Sequence, residues 1–298
     1  MKFFYLLFLF LLYYNTSFCI QQKYDFFTRQ SYTQEDGELQ KIRKLKINKR
    51  FLYSAYYNKK EELPARLSLV EEIDFNKDGL PSEKKYFNWY NTVNTRYVYE
   101  YNNYNDLVKE EVYNESNNII FRKEISYDAS RDTSEIVVTN IKRKGKEKST
   151  YNYKTKGMLS NITRYDSDGK VYLVQNFTYD NNKLKSIVFF DGNRKKLEEV
   201  EFTYNQFGSF ETEKQNNLVK KYIYDNKNRL VRVESNNGDI RIYKYNDKNF
   251  IVDDQFFLEF KKRQFRLVFS YLKNGLTDEV IRYDPDDKKA FYSKYTYE

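Results

Sequence analysis

Residues 222–246 read YIYDNKNRLVRVESNNGDIRIYKYN, and this stretch sets the fold of the whole chain. Tyr222 and Tyr224 stand two apart, so on a strand their rings share one face. Asp225-Asn226-Lys227-Asn228 then supplies residues that bond their own backbone and tolerate positive φ, the chemistry of a tight turn. A large apolar residue, Leu230, restarts an alternating run, and a second turn at Asn236–Asp239 precedes the next pair, Tyr243 and Tyr245. One unit is therefore a β-hairpin.

The same signature recurs along the chain, with its second aromatic at Phe75, Tyr101, Tyr127, Tyr153, Tyr179, Tyr204, Tyr224, Tyr245, Tyr271 and Tyr297. Six of the nine intervals are 26 residues; the others are 25, 20 and 21. A weaker series falls halfway between, at Phe87-Asn88, Tyr113-Asn114, Thr139-Asn140, Tyr165-Asp166 and Phe190-Asp191. Each period thus holds two strands and two turns, too little to bury an apolar face alone. The expected fold is all-β: an elongated antiparallel meander of hairpins, about 26 residues each, forming a twisted open sheet or half-pipe. The 31 Tyr and 24 Phe read as a structural ladder whose phenol tips stay wet at the rim; the alternative is a stacking platform for sugars or bases.

The quoted unit resembles a YD repeat of the Rhs and teneurin-like β-shell proteins, through Tyr224, Asp225, Arg229, Leu230, Gly238 and Tyr245. The resemblance is close over this unit and looser over residues 70–298. It implies an extended sheet scaffold that coils or encloses, and it carries over no catalytic residue.

Three regions are expected: a signal peptide at 1–18, an N-terminal cap at 19–70 and the hairpin repeats at 71–298. Lys2 followed by the apolar run Phe3–Tyr14 reads as a targeting segment too short to span a bilayer comfortably. Cys19, the single cysteine, follows it immediately and resembles the acylated residue of a bacterial lipoprotein; ordinary cleavage to a soluble exported product is the competing reading. Lys41–Tyr57 reads as a basic strand pair or short helix capping an open sheet edge. The net charge is +9, with bases and acids interspersed. The densest basic run, Lys142–Lys148, falls where a hairpin tip is expected and offers contact with anionic lipid, glycan or wall polymer.

With no histidine and one cysteine, Ser–His and Cys–His nucleophiles, His-ligated metals and zinc clusters are excluded. Asp74-x-Asn76-x-Asp78-Gly79 copies half an EF-hand loop, but Lys85 occupies the position of the bidentate glutamate, so it reads as a turn. Asp166-x-Asp168-Gly169 is shorter still. Glu198, Glu199 and Glu201 offer carboxylates for glycoside hydrolysis without a pattern to separate them from surface acids. The expectation is a non-catalytic exported envelope protein, membrane-anchored through Cys19. It takes no cofactor and no nucleic acid, and it binds an envelope protein or glycan through a Tyr-rich sheet. An outer-membrane β-barrel and a periplasmic carbohydrate-active enzyme are the alternatives.

Overall fold

A computed structural model describes residues 29–128, 133–141, 145–155, 158–259 and 262–298. Among the described residues, one helix, α1 (Arg29–Leu45), precedes twenty antiparallel strands numbered β1 to β20 in chain order. The first six are β1 (Lys49–Tyr56), β2 (Ser68–Phe75), β3 (Pro81–Phe87), β4 (Val93–Tyr101), β5 (Leu107–Asn114) and β6 (Ile119–Tyr127); the last is β20 (Lys289–Tyr297). Every strand pairs with the one that follows it in sequence, which is the expected hairpin meander.

The sheet is closed, where an open sheet or half-pipe was expected. β1 pairs with β2 from Lys49↔Asp74 to Ser54↔Ser68 and with β20 from Arg50↔Tyr297 to Tyr56↔Phe291. Its two hydrogen-bonding edges satisfy the two edges that the repeat array would otherwise leave bare, and unpaired strand edges are a liability that closure removes. The segment Lys41–Tyr57 divides accordingly between the end of α1 and this seam strand.

The turns explain the periodicity. In the Asn76 turn the side-chain Oδ1 accepts from the amides of Asp78 and Leu80, both at 3.0 Å. Asn88, Asn102, Asn114, Asp166, Asp191, Asn205, Asp225 and Asn246 repeat the i+2 and i+4 pattern. Three residues on, the chain enters the left-handed region, as at Gly79 (φ 68) and Asn228 (φ 56), which Gly and Asn adopt at least cost. The strong aromatic series marks the turns of one rim and the weaker series those of the other.

The paired aromatics face inward. Tyr97 and Tyr99, Phe177, Phe202 and Tyr243 are buried with Leu107, Leu159 and Leu230, the apolar residues that follow the turns. Their hydroxyls are not left wet at the rim as expected. Tyr101, Tyr127, Tyr204 and Tyr271 donate to the carbonyls of Pro81, Leu107, Leu184 and Ile251, at 2.9, 3.1, 2.8 and 2.5 Å. Each spans twenty residues and ties the end of one hairpin to the start of the strand beside it. A buried phenol needs such a partner, and these carbonyls lie at bulged strand ends where the ladder leaves them free to accept.

α1 seats on the rim that carries these clasps. Leu39 and Ile42 stand three apart on one helix face and pack against Ile73, Phe75 and Leu276. Arg43 and Lys44 in the last turn suit the negative helix end. The helix stops where Lys46 turns left-handed (φ 54) and Ile47 N–H bonds back to the Ile42 carbonyl at 3.0 Å. Among the described residues, no helix is long and apolar enough to cross a membrane.

Candidate functional site

Between α1 and the inner wall of β1–β4 lies a small recess, partly open to solvent. Its apolar walls come from Leu39, Ile42, Ile73, Phe75 and Pro81, and its polar groups from Glu38, Arg50 and Lys84, with Tyr99 and Tyr101 beside them. Strand alternation places Arg50, Glu71, Ile73, Lys84 and Tyr97 on the inner face, because Arg50 opposes Ile73 and Ile73 opposes Lys84.

The charges form one chain. Arg50 Nη2 meets Glu71 Oε1 at 2.9 Å, Lys84 Nζ meets Glu71 Oε2 at 3.0 Å, and Arg50 Nη1 lies 3.6 Å from Glu38. Tyr297 Oη sits 2.7 Å from Glu38 Oε1 and 2.8 Å from the Thr277 carbonyl. Burial alone would raise the Glu71 pKa; Lys84 and Arg50 overcome it and hold the carboxyl at about 2. Burial, then the Glu38 carboxylate, pushes Tyr297 upward. A carboxylate clamped by two cations is a structural strut, not a general base.

Deeper on the same wall, Glu110 is 1% exposed, and neither of its oxygens receives a hydrogen bond from the described residues. Lys123 Nζ stands 3.8 Å away. Burial dominates here and raises the Glu110 pKa. The neighbouring Tyr97 and Tyr99 rings stack at 6.4 Å.

The YD-like residues have clear roles. Asp225 closes its turn through Oδ1 and holds Arg229 through Oδ2, at 2.7 Å to Nε. Arg229 lies 4.7 Å over the Tyr245 ring of the next unit, and Tyr245 Oη donates to the Leu230 carbonyl at 2.6 Å. Aspartate, arginine and tyrosine therefore link consecutive hairpins, with the cation held over a ring face.

The other sequence candidates disperse. Asp74 pairs with Lys49 at 2.8 Å and Lys85 at 3.6 Å, away from the Asn76 turn, and Asp166 bonds its own turn amides. Among the described residues, no three His, Cys, Asp or Glu side chains gather as a metal site. Glu199 and Glu201 alternate in face with Glu198; Lys196 meets Glu199 at 2.6 Å, and Asn216 donates to Glu198 at 2.8 Å. Of the basic run Lys142–Lys148, residues 145–148 open the strand Gly145–Thr155, and residues 142–144 lie outside the described residues, as do Cys19 and the whole of 1–28. Sequence reading missed the Glu38–Arg50–Glu71–Lys84 chain, because its members come from four elements with no common spacing.

Residues 185–271 match the teneurin YD-shell family model, so the resemblance extends well beyond the single unit that first showed it. No curated protein matches the chain by sequence. A porin-like protein from Bacteroides uniformis overlays 85% of this chain and 98% of its own, at TM-score 0.38 and 12% identity. The TcdB2-TccC3-TEV structure overlays 76% of this chain but only 16% of its own, at TM-score 0.36 and 9% identity. Both overlays are loose, and the fold described above stands on its own strand register.

Proposed function

We propose that this chain is a non-catalytic exported envelope protein, tethered by lipid on Cys19, whose closed β-repeat shell serves as a binding or scaffolding module. The observation that carries the reading is the division between the two faces of the sheet. The inner face holds the tyrosine clasps and the buried strut. The outer face holds ion pairs along the strands: Lys85 with Glu72 and Glu83, Arg96 with Glu83, Arg122 with Glu111, Arg266 with Asp253. Such a wall suits water on the outside.

A membrane-spanning barrel shares the closure but needs an apolar outer band, and each lysine or arginine at the bilayer midplane would cost about 2–4 kcal/mol. A wall-sugar hydrolase needs two carboxylates facing across a groove; the dispersal of Glu198, Glu199 and Glu201 supports the non-catalytic reading. With both edges of every strand paired, partners meet side chains and rims, not a free strand edge.

Detergent phase partitioning of the native protein beside Cys19→Ala, with the intact mass of each, tests this function. Acyl mass and detergent partitioning that both vanish in the variant are expected. Absence of acyl mass would overturn the tether, and detergent partitioning that persists without it would favour the barrel.

A further inference from the structure

The rim opposite α1 carries a cluster of exposed rings. Tyr56, at the end of β1, stands 5.0 Å from Phe291 of β20 and 6.1 Å from Trp89 in the turn after β3. Trp89 is 57% exposed, Tyr90 87% and Tyr56 46%. Tyr56 and Phe291 oppose each other in register on the inner face, so the cluster borders the mouth of the shell. Tyr104 and Phe207 are exposed elsewhere on the surface, as scattered apolar residues ordinarily are.

Size and charge narrow what these rings can hold. A Tyr or Trp side chain offers about 150–250 Å², so the exposed parts of Tyr56 and Trp89 leave roughly 200 Å² of ring surface. A stable protein partner takes about 800 Å² per side. The flanking loops, residues 57–67 and 284–289, carry five cationic and five anionic residues between them, and the 88–92 turn carries none. The loops beside the rings are thus locally neutral, which favours an uncharged ligand there over an anionic polymer or an anionic bilayer, both of which bind through charge. What remains is an uncharged molecule with polarised C–H groups to set over the negative faces of the rings, and with hydroxyls for the amides and hydroxyl of Asn88, Asn91 and Thr92.

We infer that the Tyr56–Trp89–Phe291 cluster is a binding platform for a neutral oligosaccharide chain at the mouth of the shell. This rests on the binding-module reading and names its ligand class and site. Export and lipidation are tested separately by partitioning, so either idea can fail alone.

Trp89 is the single tryptophan of the chain, so its fluorescence reports on this site directly. The protein is titrated with chitohexaose, cellohexaose and maltohexaose, and separately with phosphatidylcholine vesicles containing or lacking phosphatidylglycerol. A saturable change with at least one hexasaccharide is expected. Tyr56→Ala and Phe291→Ala, each checked for an unchanged circular dichroism spectrum, weaken it about five- to tenfold, one ring stack apiece. If Tyr56→Ala does not fold, Phe291→Leu keeps bulk and removes only the ring. No response to any of the three sugars, a response to vesicles alone, or sugar binding indifferent to both ring substitutions overturns the proposal.

Discussion

The hydroxyl of Tyr204 donates to the carbonyl of Leu184 at 2.8 Å, across twenty residues and two neighbouring strands. The residues between them, a β-hairpin, return the chain to the same rim, so the aromatic of one unit closes over the apolar residue that begins the previous one. Tyr101, Tyr127 and Tyr271 do the same. The tyrosine of the repeat is thus chosen over phenylalanine for a bond as well as for its ring.

Tyr204→Phe should cost about 1–2 kcal/mol, a lost hydrogen bond plus a carbonyl left without its donor. Tyr271→Phe should cost a similar amount, and the double variant should be additive, because the two clasps share no partner. Urea denaturation of the three variants checks this; a cost near zero would mean that water replaces the clasp.

The seat of α1 predicts a contrast between two turn glycines. A Cβ at Gly79 would sit 2.8 Å from Arg43 Cβ and 2.9 Å from its Cα, whereas one at Gly169 meets nothing within 4 Å. Both positions have positive φ, near 70–80°. Gly169→Ala should therefore cost only the backbone penalty, about 1–2 kcal/mol, and Gly79→Ala more than that, with loss of helix signal. Equal costs would show that α1 does not rest on the 76–80 turn.

Glu71 and Glu110 should respond to pH in opposite directions. The folded Glu71 carboxyl, at about 2, lies below its ordinary value near 4.5, so its stabilisation is complete above that value and is lost as pH falls toward 2. Glu110 is raised by burial, so its protonated form suits the fold, and its contribution improves as pH falls through the folded pKa. Glu71→Gln should cost about 3–5 kcal/mol at neutral pH by removing the buried carboxylate that Arg50 and Lys84 share, and should flatten the acid limb of the stability curve. Glu110→Gln should cost less than Glu71→Gln, since burial works against the ionised carboxyl at Glu110 and its cation, Lys123, stands 3.8 Å away. Thermal melts across pH 2–8 distinguish the two; equal losses would contradict the assignment.

The hairpin period, the turn residues and the shared face of the paired aromatics were all legible, because each follows from local chemistry repeated at fixed spacing. Asn76, Asp166 and Asp225 announce their turns through side chains that bond within four residues. Closure was not legible. It depends on β1 fitting between β2 and β20, and nothing in Lys49–Tyr56 repeats the clock or marks a partner some 240 residues away. The helix seat escaped for a similar reason, since Leu39 and Ile42 are a short apolar stripe whose partners, Ile73, Phe75 and Leu276, lie far along the chain. The Tyr56–Trp89–Phe291 cluster likewise assembles from three separate rim segments.

Closure is tested most directly at Ser54 and Ser293, which oppose each other across the β1–β20 seam with their hydroxyls 3.3 Å apart. In a Cys19→Ala background, Ser54→Cys with Ser293→Cys should form an intramolecular disulfide under mild oxidation, read as a faster-migrating species and a mass loss of two hydrogen atoms, while each single substitution should not. An open sheet would hold these residues at opposite edges, so a double variant that keeps both thiols free while fully folded would contradict the closed shell.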